Sequence, residues 1–129
     1  MAITHIQVLS LPVADQERAR NFYVGTLGFD LVGDNLMGPD RRWVQVAPKG
    51  AATSITLVSW FDTMPPGSLK GLVLETDDLE GDVAALGERG VAVEGGIQES
   101  PWGRYVTFDD PDGNGIVLQA TAADVSARG

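Results

Sequence analysis

Leu11-Pro12-Val13-Ala14-Asp15-Gln16-Glu17-Arg18-Ala19-Arg20-Asn21-Phe22-Tyr23, followed by Thr26-Leu27-Gly28-Phe29, is the stretch from which the rest of the chain can be read. Upstream of it, residues 3–12 are β-branched and apolar and predict a strand. Asp15 offers an N-cap, and Ala19, Phe22, Tyr23 and Leu27 recur at helical spacing. Gly28 supplies the stop, since a left-handed residue ends a helix at little cost. Downstream, 29–32 predicts a short strand and 34–41 a loop with Gly38-Pro39-Asp40 as turn residues. Two more strands follow at 43–47 and 54–60, joined by a loop opening with Pro48-Lys49-Gly50. The unit reads β-α-β-β-β.

The second half repeats the order. A strand at 69–75 leads into a helix with Asp77 and Glu80 as a capping box and Leu79, Val83 and Leu86 as its apolar stripe. Gly90 stops it. Strands are expected at 91–93, before a Gly95-Gly96 break, at 105–108, and at 116–120 after the dense turn signal of 109–114. Asp15 matches Asp78, Gly28-Phe29 matches Gly90-Val91, and Ile55-Thr56-Leu57 matches Ile116-Val117-Leu118. The offset drifts from 63 through 62 to 61 residues, as a duplicated unit with single-residue gaps would show. Two copies of a period near 60 make no solenoid; they imply paired modules, a pseudo-twofold axis and a cleft between curled sheets. The expectation is a single α+β domain over 1–129, with module one at about 3–60 and module two at about 69–121. The connector 61–67 contains Pro65-Pro66-Gly67, and the tail from Ala122 to Gly129 is expected to fray.

Composition narrows the function. The 129 residues carry 9 Lys+Arg against 18 Asp+Glu, a formal charge of −9. That excess of acid disfavours nucleic acid and anionic membranes as partners. There is no Cys, which removes disulfides, thiolate metal sites and a cysteine nucleophile. No apolar run approaches the roughly 20 residues of a membrane span, and residues 1–5 do not begin a signal peptide. A cytoplasmic protein is expected.

The opening stretch, together with Phe108-Asp109-Asp110-Pro111-Asp112-Gly113-Asn114, resembles the vicinal oxygen chelate superfamily of glyoxalase I, extradiol dioxygenases and bleomycin-resistance proteins. The resemblance covers residues 3–121 and implies two tandem βαβββ modules in a curled mixed sheet around a cleft. It is a poor guide to activity, because the superfamily hosts isomerases, dioxygenases, epimerases, lyases and drug binders. It also implies where a divalent metal would be held in metal-dependent members, on the first and last strand of each module. The matching positions here are Val8, Thr56, Gly71 and Val117, a set that cannot supply four N or O donors. His5, the one histidine, lies an odd number of residues from Val8 and so points to the other strand face. No metal and no other cofactor is expected.

Alternation from those four positions adds Ile6, Ser10, Ser54, Val58, Trp60, Val73, Glu75, Gly115 and Gln119 to the cleft wall. The wall is mostly apolar with scattered polar anchors, as a small-molecule pocket is. Trp43, Thr56, Val58, Trp60, Met64, Trp102, Tyr105, Phe108 and Gln119 are the expected ligand contacts. Tryptophans in small domains are more often core than platform, and the Asp77–Asp82 and Asp109–Asp112 acids read first as caps and turns.

Two function classes follow. The first is a homodimeric, metal-independent binding protein that sequesters a bulky hydrophobic or aromatic natural product, as bleomycin-resistance-type members do. The second is a metal-free isomerase, cyclase or lyase on a similar molecule. That enzyme would use Glu75 or Glu99 as base and Arg104 or Tyr105 as polariser. No catalytic residue is assigned.

Overall fold

Pairing decides where each strand begins and ends. In the computed structural model, which describes residues 1–122, β1 (Val8–Pro12) lies parallel to β4 (Ser54–Val58), with Val8 opposite Ser54 and Pro12 opposite Val58. The two strands end together, so the strands expected at 3–12 and 54–60 are both shortened. Residues 1–7 precede β1 and are exposed; Ile6, expected on the cleft wall, is 60% exposed. Trp60 falls just past the end of β4.

α1 (Gln16–Arg20) starts where expected. The Asp15 side chain accepts from the backbone N–H groups of Glu17 and Arg18, satisfying two donors that a helix start leaves open. The helix widens without a break into a π-helical turn, Asn21–Thr26, closed by the Leu27 N–H on the Phe22 carbonyl at 3.0 Å. Gly28 then turns the chain at φ 78°. Tyr23 is fully buried, edge-on to Phe22 at 5.3 Å and tilted against Phe29 at 5.7 Å. The Phe-Tyr pair therefore serves packing.

β2 (Asp30–Leu36) and β3 (Arg42–Ala47) complete an antiparallel edge, giving the order β1-β4-β3-β2. β2 is longer than the expected 29–32. Asp34, placed in a loop by its turn-forming chemistry, is drawn into the ladder opposite Val44, with a register shift between Leu31 and Gly33. Leu11, Val44, Val46, Ile55 and Leu57 point to the α1 side and form a core with Val13, Ala19, Tyr23 and Phe29. The Gln16 amide donates to the carbonyls of Arg42 and Leu57, which ties α1 to this sheet.

The second sheet runs β5-β8-β7-β6: β5 (Leu72–Glu75), β6 (Glu94–Ser100), β7 (Gly103–Asp109) and β8 (Gly115–Thr121). The two βαβββ modules are thus present, in an α+β fold. α2 (Leu79–Glu88) is capped by Asp78, whose carboxylate accepts from Gly81 N–H; Asp77 is not the cap. The Thr76 hydroxyl explains the shift by one residue, because it accepts from the Asp78 N–H and donates to Asp82, turning the Asp78 side chain into the helix start. The strand expected at 91–93 is not formed. β6 begins at Glu94 and runs through Gly95 and Gly96, whose positive φ values produce a register shift between Glu94 and Gln98 where a break was expected. β6 and β7 are joined by a tight hairpin turn, Ser100 pairing with Gly103 around Pro101 and Trp102. Leu79, Leu86, Val106, Phe108, Ile116 and Leu118 are the buried apolar residues of this half.

Two compact units emerge. One comprises Met1–Leu69 with Pro111–Asn114; the other comprises Lys70–Asp110 and the chain from Gly115 onward. The β7–β8 turn therefore belongs to the first unit. There the Asp112 carboxylate accepts from the Ala14 N–H and from Arg18, both at 2.9 Å. Asn114, with no exposed surface, donates to the Pro12 carbonyl at 2.8 Å and accepts from the Leu69 N–H at 3.1 Å. Gly67 (φ 80°) leaves room for this turn, since a Cβ there would run into the Asp112 carbonyl. The expected fraying of the tail lies outside the described residues beyond Ala122.

Candidate functional site

In the first unit α1 and its π-helical turn lie on one face of the sheet, and no helix among this unit's described residues lies on the other. Alternation and register put Ser10 on β1, Ser54, Thr56 and Val58 on β4, and Trp43 and Gln45 on β3 there, opposite the α1 side. A directional chain of hydrogen bonds runs across it. The Trp43 indole N–H donates to Gln45 Oε1 at 2.9 Å, Gln45 Nε2 donates to Ser54 Oγ at 2.6 Å, and Ser54 Oγ reaches the Gln7 carbonyl at 3.2 Å. The chain uses up the indole N–H and fixes the ring's orientation, so Trp43 offers a preset flat surface and no donor. One row along, Ser10 Oγ and Thr56 Oγ1 lie 3.3 Å apart.

Beyond β4, the half-buried Trp60 ring is covered by the Arg41 guanidinium, 5.5 Å from its centroid, and tilted against Phe61 at 6.2 Å. Arg41 and Met37 close the β2–β3 turn through the Met37 N–H on the Arg41 carbonyl at 2.7 Å. Met64, half-buried, donates its N–H to the Phe61 carbonyl. Of the nine expected contacts, Trp43, Thr56 and Val58 share this face, and Trp60 and Met64 follow it in the same unit. Gln45, Ser54 and Arg41 were not among them. Alternation from Trp43 along β3 is enough to place Gln45 beside it; Arg41 has no such signal, since a turn residue's direction is not periodic.

In the second unit, Tyr105 and Gln119 stand opposite one another on β7 and β8, and Glu75 stands opposite Gln119. Gln119 Nε2 donates to Thr121 Oγ1 at 3.0 Å, and the Thr121 hydroxyl and N–H both donate to the Glu75 carboxylate. Both Glu75 oxygens are thereby engaged. Trp102 is 51% exposed at the hairpin tip. Phe108 is buried opposite Ile116, on the other sheet face from Tyr105 and Gln119, so the structure does not group it with them. Arg104 forms an ion pair with Glu80 of α2, away from that face. Glu80 is held below its usual carboxylate range by its own backbone N–H first and by Arg104 second.

The residues at the metal-ligand positions do not fit a divalent ion. Val8 and Val117 carry no donor atom, Gly71 has no side chain, and the Thr56 hydroxyl is engaged by Ser10. His5 is exposed, with Nδ1 2.8 Å from the Thr4 hydroxyl. Among the described residues, no three His, Asp or Glu side chains converge as ligands would. No helix among the described residues is long and apolar enough to cross a membrane.

Comparison with known proteins agrees with this architecture. The family described as "Glyoxalase/Bleomycin resistance protein/Dioxygenase superfamily" matches residues 2–118. Among solved structures, the chain is similar to TnmS3, an antibiotic binding protein from Streptomyces sp. CB03234. The identity is 59% over 95% of this chain and 99% of that one, with a TM-score of 0.90. A glyoxalase/bleomycin resistance protein from the same strain is 58% identical over 89% of this chain and 99% of its own, with a TM-score of 0.80. The protein YetH of Bacillus subtilis (strain 168) is 36% identical, covering 91% of this chain and 98% of YetH.

Proposed function

Because the chain belongs to the glyoxalase/bleomycin resistance protein/dioxygenase superfamily, we propose that it is one of the binding proteins of that family. In this reading it sequesters a bulky hydrophobic or aromatic natural product, without a metal, and so gives resistance to it. The observation that carries this is the 59% identity, over nearly the whole chain, to an antibiotic binding protein. The helix-free face of the first sheet supports it, with a preset indole at Trp43, Val58 beside it and Trp60 following. Trp43, Thr56, Val58, Trp60, Met64, Trp102, Tyr105 and Gln119 are retained as proposed contacts. An enzyme that used Glu75 as base would first have to free its carboxylate from Thr121, and no observation favours that alternative.

The protein works in this reading as a cytoplasmic homodimer. Leu31, Val32, Leu36 and Met37, on or next to edge strand β2, are exposed apolar side chains that a second copy would cover. Native mass spectrometry of the purified protein with a panel of aromatic antibiotics, with and without zinc or nickel, tests these points together. A dimer without stoichiometric metal, releasing an unchanged antibiotic, is expected. Expression should also raise the dose of that antibiotic a sensitive bacterium survives. A product altered in mass or in chromatographic retention would make the protein an enzyme. Stoichiometric metal would overturn metal independence, and a panel with no binder would overturn sequestration.

A further inference from the structure

The chain has three asparagines, and the residue after each differs. Asn21 and Asn35 are exposed and precede Phe22 and Leu36. Asn114 precedes Gly115 and has no exposed surface. The following residue sets how fast an asparagine loses its amide, because its backbone nitrogen attacks the side-chain Cγ. A bulky side chain there blocks the approach, and a glycine leaves it open. The chain thus exposes its two hindered asparagines and buries the reactive one. Packing favours glycine at 115, since a Cβ there would come within 3.1 Å of Lys70 Cδ.

We infer that Asn114 is a site of spontaneous deamidation that the docked turn 111–114 holds shut, and that reaction there makes opening of the turn irreversible. In the docked turn Nδ2 donates to the Pro12 carbonyl at 2.8 Å and Oδ1 accepts from the Leu69 N–H at 3.1 Å. Both ends of the amide are held, so Cγ cannot swing toward the Gly115 nitrogen, itself fixed opposite Asp109 at the start of β8. When the turn leaves its seat these restraints go together. The bond from Gly115 N to Cγ then forms, the nitrogen's proton passes to solvent, and the Cγ–Nδ2 bond breaks to release ammonia. Water opens the resulting succinimide at either carbonyl and leaves aspartate or isoaspartate. Neither fits the seat. A carboxylate has no hydrogen to give the Pro12 carbonyl, and it adds a charge to a turn whose Asp112 carboxylate is already almost fully buried. Isoaspartate also reroutes the backbone through Cβ. The rate is that of the open chain multiplied by the fraction of time the turn is open. It does not depend on what the protein binds.

The test is peptide mapping by mass spectrometry after incubation in mildly alkaline buffer, with the full-length protein native or unfolded in guanidinium chloride. Conversion at Asn114 is expected to be slower in the native protein by about 30-fold or more, the factor that two hydrogen bonds broken together supply. Asn21 and Asn35 should stay unconverted in both. Arg18→Ala removes a half-exposed ion pair to Asp112 and should speed native conversion about two- to fivefold. Gly115→Ala should slow conversion of the unfolded chain, which assigns the chemistry to the succinimide route. Unfolded wild type that has been converted should regain less stability on refolding than an unconverted control. Equal rates in native and unfolded protein, or an Arg18→Ala rate equal to wild type, would overturn the guarding role of the turn. No conversion at Asn114 in the unfolded chain would remove the site itself, and converted protein that refolds to full stability would overturn irreversibility. If Arg18→Ala does not fold, the comparison of native with unfolded wild type decides alone.

Discussion

The carboxylate of Asp34 receives two hydrogen bonds from one guanidinium, Nε and Nη2 of Arg42, each at 2.7 Å. This fork holds the Asp34 carboxyl below its usual value, outweighing the partial burial that pushes it up; Arg20 adds a smaller pull. A carboxyl lowered by folding stabilises in full above its unfolded value of 3.8, and that stability is lost as pH falls through the lower folded value. Asp34→Asn is expected to cost about 1 kcal/mol at neutral pH. Urea unfolding at a series of pH values should show the gap to wild type closing in acid; a gap independent of pH would sink this account. The pairing was not legible in the sequence, where Asp34 stood among turn-forming residues. Its partner lies eight residues away across a hairpin whose length composition does not set. Ser54 and Val58, by contrast, were placed on the Thr56 face because strand alternation assigns a face without knowing any partner.

The start of the first helix and the stops of both were readable, since Asp15, Gly28 and Gly90 act through local chemistry. The second cap was misread by one residue. Asp77 and Asp78 are both capable caps, and the Thr76 hydroxyl decides between them. Asp78→Ala should therefore lower stability by about 1 kcal/mol, while Asp77→Ala stays within a few tenths. Thermal melts of the two variants check this, and equal losses would contradict the assignment. Strand limits were the least legible feature, because a strand ends where its neighbour does. β4 ends at Val58 because β1 ends at Pro12, although Ser59 and Trp60 continue an acceptable strand sequence. Gly95 and Gly96 looked like a break; with β7 alongside, they bend a strand that continues.

For the molecule as a whole, the drifting internal offset exposed the duplication, and the net charge of −9 narrowed the partners. What remained hidden was that the turn 111–114 serves the first unit. Turn signals report the local backbone and not where the turn docks. Asn114→Ala removes a donor and an acceptor at a site with no exposure, from Pro12 and Leu69 respectively. The expected cost is about 2–3 kcal/mol, from one buried and one part-buried backbone group left unpaired. Chemical denaturation measures it; a loss below about 1 kcal/mol would mean that the backbone finds other partners.

That docking also orders events during synthesis. The bonds from Asp112 and Asn114 to Ala14, Arg18 and Pro12 span 94 to 102 residues of chain. Domains commonly fold N-terminal first as the ribosome delivers them. Here the amino-terminal half must wait, because the residues that close it are translated after nearly all the others. Contacts so far apart in sequence also slow folding. A nascent chain stalled before Asn114 would have every strand of its first sheet but no partner for the Pro12 carbonyl and the Leu69 N–H, and a gene cut between the two repeats would yield a first fragment without that turn.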